Sequence, residues 1–304
     1  MRWGRFPASG GASLRWAHLA GAPGTGPAVN CVLVGGFSEF IEKYFETMRD
    51  LAQRGVSVWC LDWRGQGGSE RDTALPSRPL ARAFDTDAKD LAAFTEEMLP
   101  RDGRRLLTAH SMGGAIALVA LHKNPGLVDA AVLSAPMLKI EAGIPRTAAR
   151  VFAWLATTLG FAKAFIPGTG PWRFNERLTP ETSPTSHDPE RCLIQRTWFE
   201  AQPRLRVDGP TFGWLNAAFK VTDRFGSKGY LEHITTPILM GSAGRERFVS
   251  PRKHRRAAKR LPHCRLIEFP TAKHELFLEA DNYRSVWFAE IDAFLAAHFN
   301  IEAS

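Results

Sequence analysis

A serine hydroxyl attacks at neutral pH only when a base takes its proton and an acid holds that base in place. The stretch Leu106-Leu107-Thr108-Ala109-His110-Ser111-Met112-Gly113-Gly114 sets one serine where this could happen. The apolar run before Ser111 reads as a strand, and the small residues after it as a helix. Ser111 then sits on a tight strand-to-helix turn that lifts its hydroxyl clear of the sheet. Small neighbours are needed there, because the turn is strained and adjoining segments pass close. The usual pattern is G-x-S-x-G; here Ala109, still small, replaces the first glycine.

On such a turn the acid and then the histidine follow the serine in chain order. His274 follows directly on the closing strand Cys264–Phe269, whereas His233, His254, His263 and His298 read as surface residues of helices or loops. The acid should follow the strand Pro237–Gly241. Within Ser242-Ala243-Gly244-Arg245-Glu246-Arg247-Phe248-Val249 the only carboxylate is Glu246, which is assigned to orient His274. Glu232 and Glu268 fall before or inside the flanking strands. The tetrahedral intermediate needs backbone N–H donors for its oxyanion. Met112, after the nucleophile, and Phe37, after the Gly35-Gly36 turn, are expected to supply them. The four cysteines Cys31, Cys60, Cys192 and Cys264 are scattered, with no zinc spacing, which suggests reduced thiols and a cytosolic setting; no cofactor or metal is expected.

The elements that must hold these residues alternate. Ser13–Leu19, Val29–Val34, Val56–Asp62, Arg105–Ala109 and Ala130–Ser134 read as strands. Arg82–Met98 has helical spacing, with Phe84, Ala88, Leu91, Phe94 and Met98 on one face, and Gly113–His122 is a small-residue helix. Short buried strands alternating with helices imply an α/β fold, a mostly parallel sheet covered on both faces. The rhythm breaks between residues 137 and 230, where helices such as Arg146–Leu159 and Pro189–Ala201 are separated by Pro/Gly/Thr-rich loops. It resumes with Pro237–Gly241, the helix Pro251–Arg260, Cys264–Phe269 and a helix near Tyr283–Phe299. The expected organisation is a core in two parts, 1–136 and 231–304, with a helical cap inserted at 137–230. An insertion at a strand's carboxyl end lies where such sheets bind ligands.

The 304 residues can bury a large core, and 44% hydrophobic with 23% charged residues excludes a disordered chain. Nine tryptophans and twenty phenylalanines against three tyrosines suit both a core and a greasy pocket. The net charge of +8 favours anionic membrane surfaces. Eight of the cations crowd into 245–260 against the single acid Glu246, which reads first as a solvated helix face. No nucleic-acid motif accompanies them, so no nucleic-acid partner is expected. With no signal-peptide pattern at Met1–Trp16 and no long apolar span, the expected setting is cytoplasmic, with peripheral contact at the inner face of the membrane.

Several blocks together resemble the bacterial lysophospholipase and monoglyceride lipase branch of the α/β-hydrolases. They are Gly36-Phe37-Ser38-Glu39 with Tyr44, Asp62-Trp63-Arg64-Gly65-Gln66-Gly67-Gly68-Ser69, His110-Ser111-Met112-Gly113-Gly114, and His274-Glu275 with Glu279 and Arg284. Within the insertion, Pro203-Arg204-Leu205 and Gly209-Pro210-Thr211 with Trp214 are closer to the lysophospholipase side. The resemblance implies a helical cap over the site and hydrolysis of a single-chain lipid ester by Ser111, His274 and Glu246. Two positions depart from the family pattern: Gly35 stands where histidine is frequent, and Glu246 where aspartate is frequent. A peptidase, amidase or small-ester hydrolase would keep the same triad, and a non-catalytic binding protein would have lost part of it.

Overall fold

The computed structural model describes residues 1–23, 28–79, 83–141, 144–174 and 178–299. One eight-stranded sheet runs through the molecule. Its strands are β1 (Arg2–Pro7), β2 (Ser13–Leu19), β3 (Val29–Val34), β4 (Val56–Leu61), β5 (Arg104–His110), β6 (Ala130–Ser134), β7 (Ile238–Ala243) and β8 (Cys264–Phe269), in the spatial order β1-β2-β4-β3-β5-β6-β7-β8. β1 and β2 form an antiparallel edge, and β2 pairs antiparallel with β4; every pairing from β4 to β8 is parallel.

Parallel strands need crossovers, and helices supply them: α1 (Phe45–Gln53), α2 (Phe84–Met98), α3 (Met112–Lys123), α4 (Arg146–Thr158), α5 (Ile194–Ala201), α6 (Phe212–Arg224) and α7 (Pro251–Ala258), while α8 (Asp281–Phe299) follows the last strand. The two-residue period of a strand sorts the core into two layers. Val32 and Val34 join Leu91 of α2 and Ile116 of α3 on one face, while Cys31 and Leu33 join Met48 of α1 and Trp287 of α8 on the other. β3 is buried at all six positions, as a central strand covered on both faces should be.

The expected strands at 13–19, 29–34, 130–134 and 264–269 have those bounds. Arg82, the expected first residue of a helix, lies outside the described residues, and α2 begins at Phe84. Between β6 and β7 lie α4, α5 and α6, joined by loops; the described residues there form two isolated bridges, Ile140 with Val249 and Phe165 with Thr211. α4 packs on α6 through Ala149, Ala153, Leu215 and Phe219.

Candidate active site

The sheet brings together what the sequence holds far apart. β5 is central, so its carboxyl end is flanked by the ends of β3 and β6. Ser111 leaves β5 with φ 50° and ψ −115°, a left-handed conformation that costs about 1–3 kcal/mol and persists only where its surroundings impose it. They do. Ser111 N–H donates to the Ser134 carbonyl at 3.0 Å, and the Ser111 carbonyl accepts from Met137 N–H at 2.8 Å. The glycines after it permit close contact: a Cβ at Gly114 would lie 2.7 Å from Pro136 Cβ.

His274 reaches in from the loop after β8, and Glu246 from the loop after β7. His274 Nε2 stands 3.0 Å from Ser111 Oγ, and Nδ1 stands 2.6 Å from Glu246 Oε2. The other Glu246 oxygen accepts the N–H groups of Arg247 and Phe248, both at 2.8 Å, which fixes the carboxylate. Its side chain is fully buried, though it belongs to a cation-rich stretch. Burial works against its charge, yet His274 and the two backbone donors outweigh that and hold Glu246 below its usual carboxylate range. Burial likewise opposes protonation of His274, but the facing Glu246 prevails and raises it above 6.5.

The loop after β3 passes the same spot. A Cβ on Gly36 would lie 3.0 Å from Ser111 Cβ, so a larger residue there would crowd the serine. Trp63 Nε1 donates to the Gly35 carbonyl at 2.8 Å. Ser38, at φ 64°, donates its N–H to Gln66 and accepts through its carbonyl from Gln195 Nε2 at 3.2 Å. Phe37 is thus held between two anchored residues and, with Met112, borders the same cavity as Ser111 and His274. Asp62 braces the loop from below: it accepts from Ile41 N–H at 2.9 Å, Gly68 N–H at 2.7 Å and Arg15 Nε at 2.6 Å.

The cavity measures about 810 Å³. Ile140, Ala149, Phe152, Ile166, Phe212 and Leu215, from α4, α6 and their loops, make an apolar wall. Ser38, Thr185, Gln195 and Glu275 make a polar one. A hydroxyl, a base that can take its proton, and a buried carboxylate facing that base can together deliver an activated oxygen to a bound carbonyl.

One expectation is corrected. His254 is not a surface residue of its helix but is wholly buried on α7, its Nδ1 2.8 Å from Ser242 Oγ and its Nε2 2.8 Å from the Pro136 carbonyl. Burial pushes it down to about 4, so it stays neutral behind the site. A buried cluster that the sequence does not announce lies beside the site. Glu39, His110 and Glu275 present ligand atoms within 4.8 Å of one another, and the Lys43 ammonium bonds both carboxylates. Burial brings His110, whose ring centre is 4.6 Å from that of His274, down to about 3, so it adds no charge there. Its signal was an acid and a lysine four apart in the otherwise aromatic-rich run Phe37–Phe45.

A mostly parallel sheet with a strained serine at the end of its central strand, and an acid and a histidine after the two strands that close it, defines the α/β-hydrolase class. A family model described as serine aminopeptidase, S33, matches residues 25–281, and the chain belongs to that family. It is 32% identical over 277 residues to lysophospholipase L2 of Escherichia coli (strain K12), covering 88% of this chain and 80% of that protein. It is 24% identical to the monoacylglycerol lipase of Mycolicibacterium smegmatis, covering 90% of each. The solved monoglyceride lipase of Saccharomyces cerevisiae, in complex with a substrate analog, superposes with a TM-score of 0.75 at 18% identity, covering 98% of this chain and 95% of that one. The chain is thus a hydrolase of the lysophospholipase and monoacylglycerol lipase branch that its motifs resemble.

Proposed function

We propose that the protein hydrolyses the carboxylic ester of single-chain lipids, lysophospholipid or monoacylglycerol, through an acyl-enzyme on Ser111. The observation that carries this is the His274 ring set between Ser111 Oγ and Glu246 Oε2 at the wall of a largely apolar cavity. His274 Nε2 takes the Ser111 proton as Oγ bonds to the ester carbon. The oxyanion is received by the Phe37 and Met112 amides. Collapse breaks the ester C–O bond, and the proton on Nε2 passes to the departing alcohol. Water then repeats the sequence, His274 taking its proton, and releases the fatty acid. Glu246 holds the ring and stabilises its charged form throughout.

The two walls suit the two halves of such a substrate, acyl chain against the apolar one and polar alcohol against the other. The carboxylates bordering the cavity are each bonded by a lysine. Glu39 and Glu275 bond Lys43, and Glu141 bonds Lys139 at 3.0 Å. Lysophospholipase and monoacylglycerol lipase relatives support the lipid reading.

We further propose that segment 137–230 acts as the cap and meets an anionic membrane, which would place the enzyme at the inner face. α4 buries Ala149 and Ala153 but leaves Val151, Phe152 and Leu155 exposed, with Leu159 and Phe161 just beyond and Arg150 and Lys163 flanking them. No described helix is long and apolar enough to cross a bilayer. The test is fluorophosphonate labelling of wild type and Ser111→Ala, followed by a panel of lysophospholipids, monoacylglycerols and aminoacyl amides. Labelling that survives Ser111→Ala, or turnover of the amides alone, would sink the proposal.

A further inference from the structure

The loops carrying Phe37 and His274 come from opposite ends of the chain, yet one buried side chain joins them. Lys43, 2% exposed, donates to Glu39 Oε1 at 2.8 Å and to Glu275 Oε1 at 2.7 Å, across 232 positions of sequence. Glu39 uses its other oxygen to accept from the Gly36 N–H and from the Tyr44 hydroxyl, the latter at 2.6 Å. Gly36 directly precedes Phe37, and Glu275 directly follows His274. Lys43 also reaches Gln195 Oε1 at 3.2 Å, the residue whose amide nitrogen bonds the Ser38 carbonyl.

We infer that Glu39, Lys43 and Glu275 act as a positioning device, tying the loop that receives the oxyanion to the loop that carries the base. This rests on the roles proposed above for Phe37, Ser111 and His274. A buried charge cluster is a poor way to gain stability, because desolvation offsets most of the attraction and apolar replacements of equal volume often do as well. What such a cluster supplies is directional bonding. The bond from Gly36 N–H to Glu39 fixes the Gly35–Gly36 peptide, and the Ser38 N–H bond to Gln66 fixes the peptide after Phe37, so the Gly36–Phe37 amide between them is held from both sides. A carboxylate this close to a forming oxyanion would oppose it if uncompensated. Lys43 supplies the compensating charge and carries the tie across to Glu275. Gly35 fits the same account: a Cβ there would lie 3.0 Å from the Tyr44 ring and 3.1 Å from Glu39.

Two double variants separate the ties while keeping the cluster's net charge, since each removes one cation and one anion. Glu39→Gln with Lys43→Met loosens both sides at once; Lys43→Met with Glu275→Gln frees the His274 side and keeps the Gly36–Glu39 bond, though Glu39 loses its cation. Turnover of p-nitrophenyl butyrate, the rate of fluorophosphonate inactivation and the thermal midpoint are measured for each. The first double variant should lose about 10- to 100-fold in kcat and in inactivation rate, and the second about 5- to 20-fold, with KM within about twofold for both. Rates within twofold of wild type in both folded variants overturn the inference, as does a loss confined to KM. Should the double variants not fold, Glu39→Gln alone keeps an acceptor oxygen and the Lys43–Glu275 pair. It should lower kcat about 3- to 10-fold at unchanged KM, and an unchanged kcat overturns the inference. Wild type that resists the probe, or Ser111→Ala that still takes it, instead overturns the reading of Ser111 and this inference with it.

Discussion

Gly113 lies against the Gly35 carbonyl so closely that a Cβ at 113 would stand 2.5 Å from that oxygen, and 3.0 Å from the Val34 carbonyl. The first turn of α3 and the end of β3 are therefore in backbone contact, which sets how far the Met112 amide stands from the Gly36-Phe37 loop. Gly113→Ala must push two main-chain segments apart, with no flexible side chain to yield. The expected cost is about 1–3 kcal/mol of stability, read by urea denaturation. A fall of about 100-fold or more in kcat should accompany it, because a shift on the order of 1 Å at an oxyanion donor removes most of its effect. Normal turnover by a stable Gly113→Ala enzyme would show that this contact does not set the site.

Glu246 sets the working pH of His274. Only the neutral imidazole accepts the serine proton, so activity falls on the acid side as His274 protonates. Burial lowers the proton affinity of His274, and Glu246 more than restores it, leaving the group above 6.5. The acid limb of kcat/KM should therefore have its midpoint above 6.5. Glu246→Gln removes the opposing charge and leaves burial in control, so the midpoint should move to lower pH while the plateau falls about 10³-fold. A pH–rate profile on a soluble p-nitrophenyl ester reads both. An acid limb that stays in place in Glu246→Gln would assign the titration to another group.

How much of this could be read from the sequence depended on whether the information was local. Ser111 is announced by its own neighbours, and β3 and β6 by continuous apolar runs, because a strand buried on both faces must be apolar throughout. β1 escaped because Arg2–Pro7 is an edge strand with Gly4, Pro7 and mostly exposed side chains, which blur its alternation. His254 reads as exposed because α7 is crowded with cations, and only the tertiary contacts with Ser242 and Pro136 explain a histidine on its inner face. Lys43 could not be foreseen as buried, since both its carboxylate partners had to be known first, and one of them lies 232 positions away.

Asp62 gives a second test of the scaffold under the site. Its carboxylate serves Ile41 N–H, Gly68 N–H and Arg15 from a fully buried position. Asparagine offers one acceptor oxygen and turns an N–H₂ toward groups that are themselves donors. Asp62→Asn should lose about 2–4 kcal/mol of stability, less than a fully broken buried pair because Arg15 keeps Glu42 at 2.6 Å. Thermal and urea unfolding measure it. A loss under about 0.5 kcal/mol would mean that the Asp62–Ser69 loop does not depend on this carboxylate.

The exposed face of α4 separates reaching the lipid from cutting it. Leu155 and Leu159 are 42% and 69% exposed and do not border the cavity, whereas Phe152, on the same face, does. A soluble protein gains nothing in water from this arrangement, but a bilayer surface would bury both leucines at up to about 1.5–3 kcal/mol each. Leu155→Glu with Leu159→Glu should thus weaken binding to vesicles containing anionic lipid by at least about tenfold, since 1.4 kcal/mol is a factor of ten. Turnover of lipid esters presented in those vesicles should fall in proportion. Turnover of a short soluble ester should not change, because neither residue touches Ser111, His274 or the cavity wall. Vesicle co-sedimentation and the two assays, run side by side, decide it. Equal losses on the soluble and the vesicle-borne ester would mean that the substitutions disturb the cap itself, and unchanged vesicle binding would assign the membrane contact to another surface.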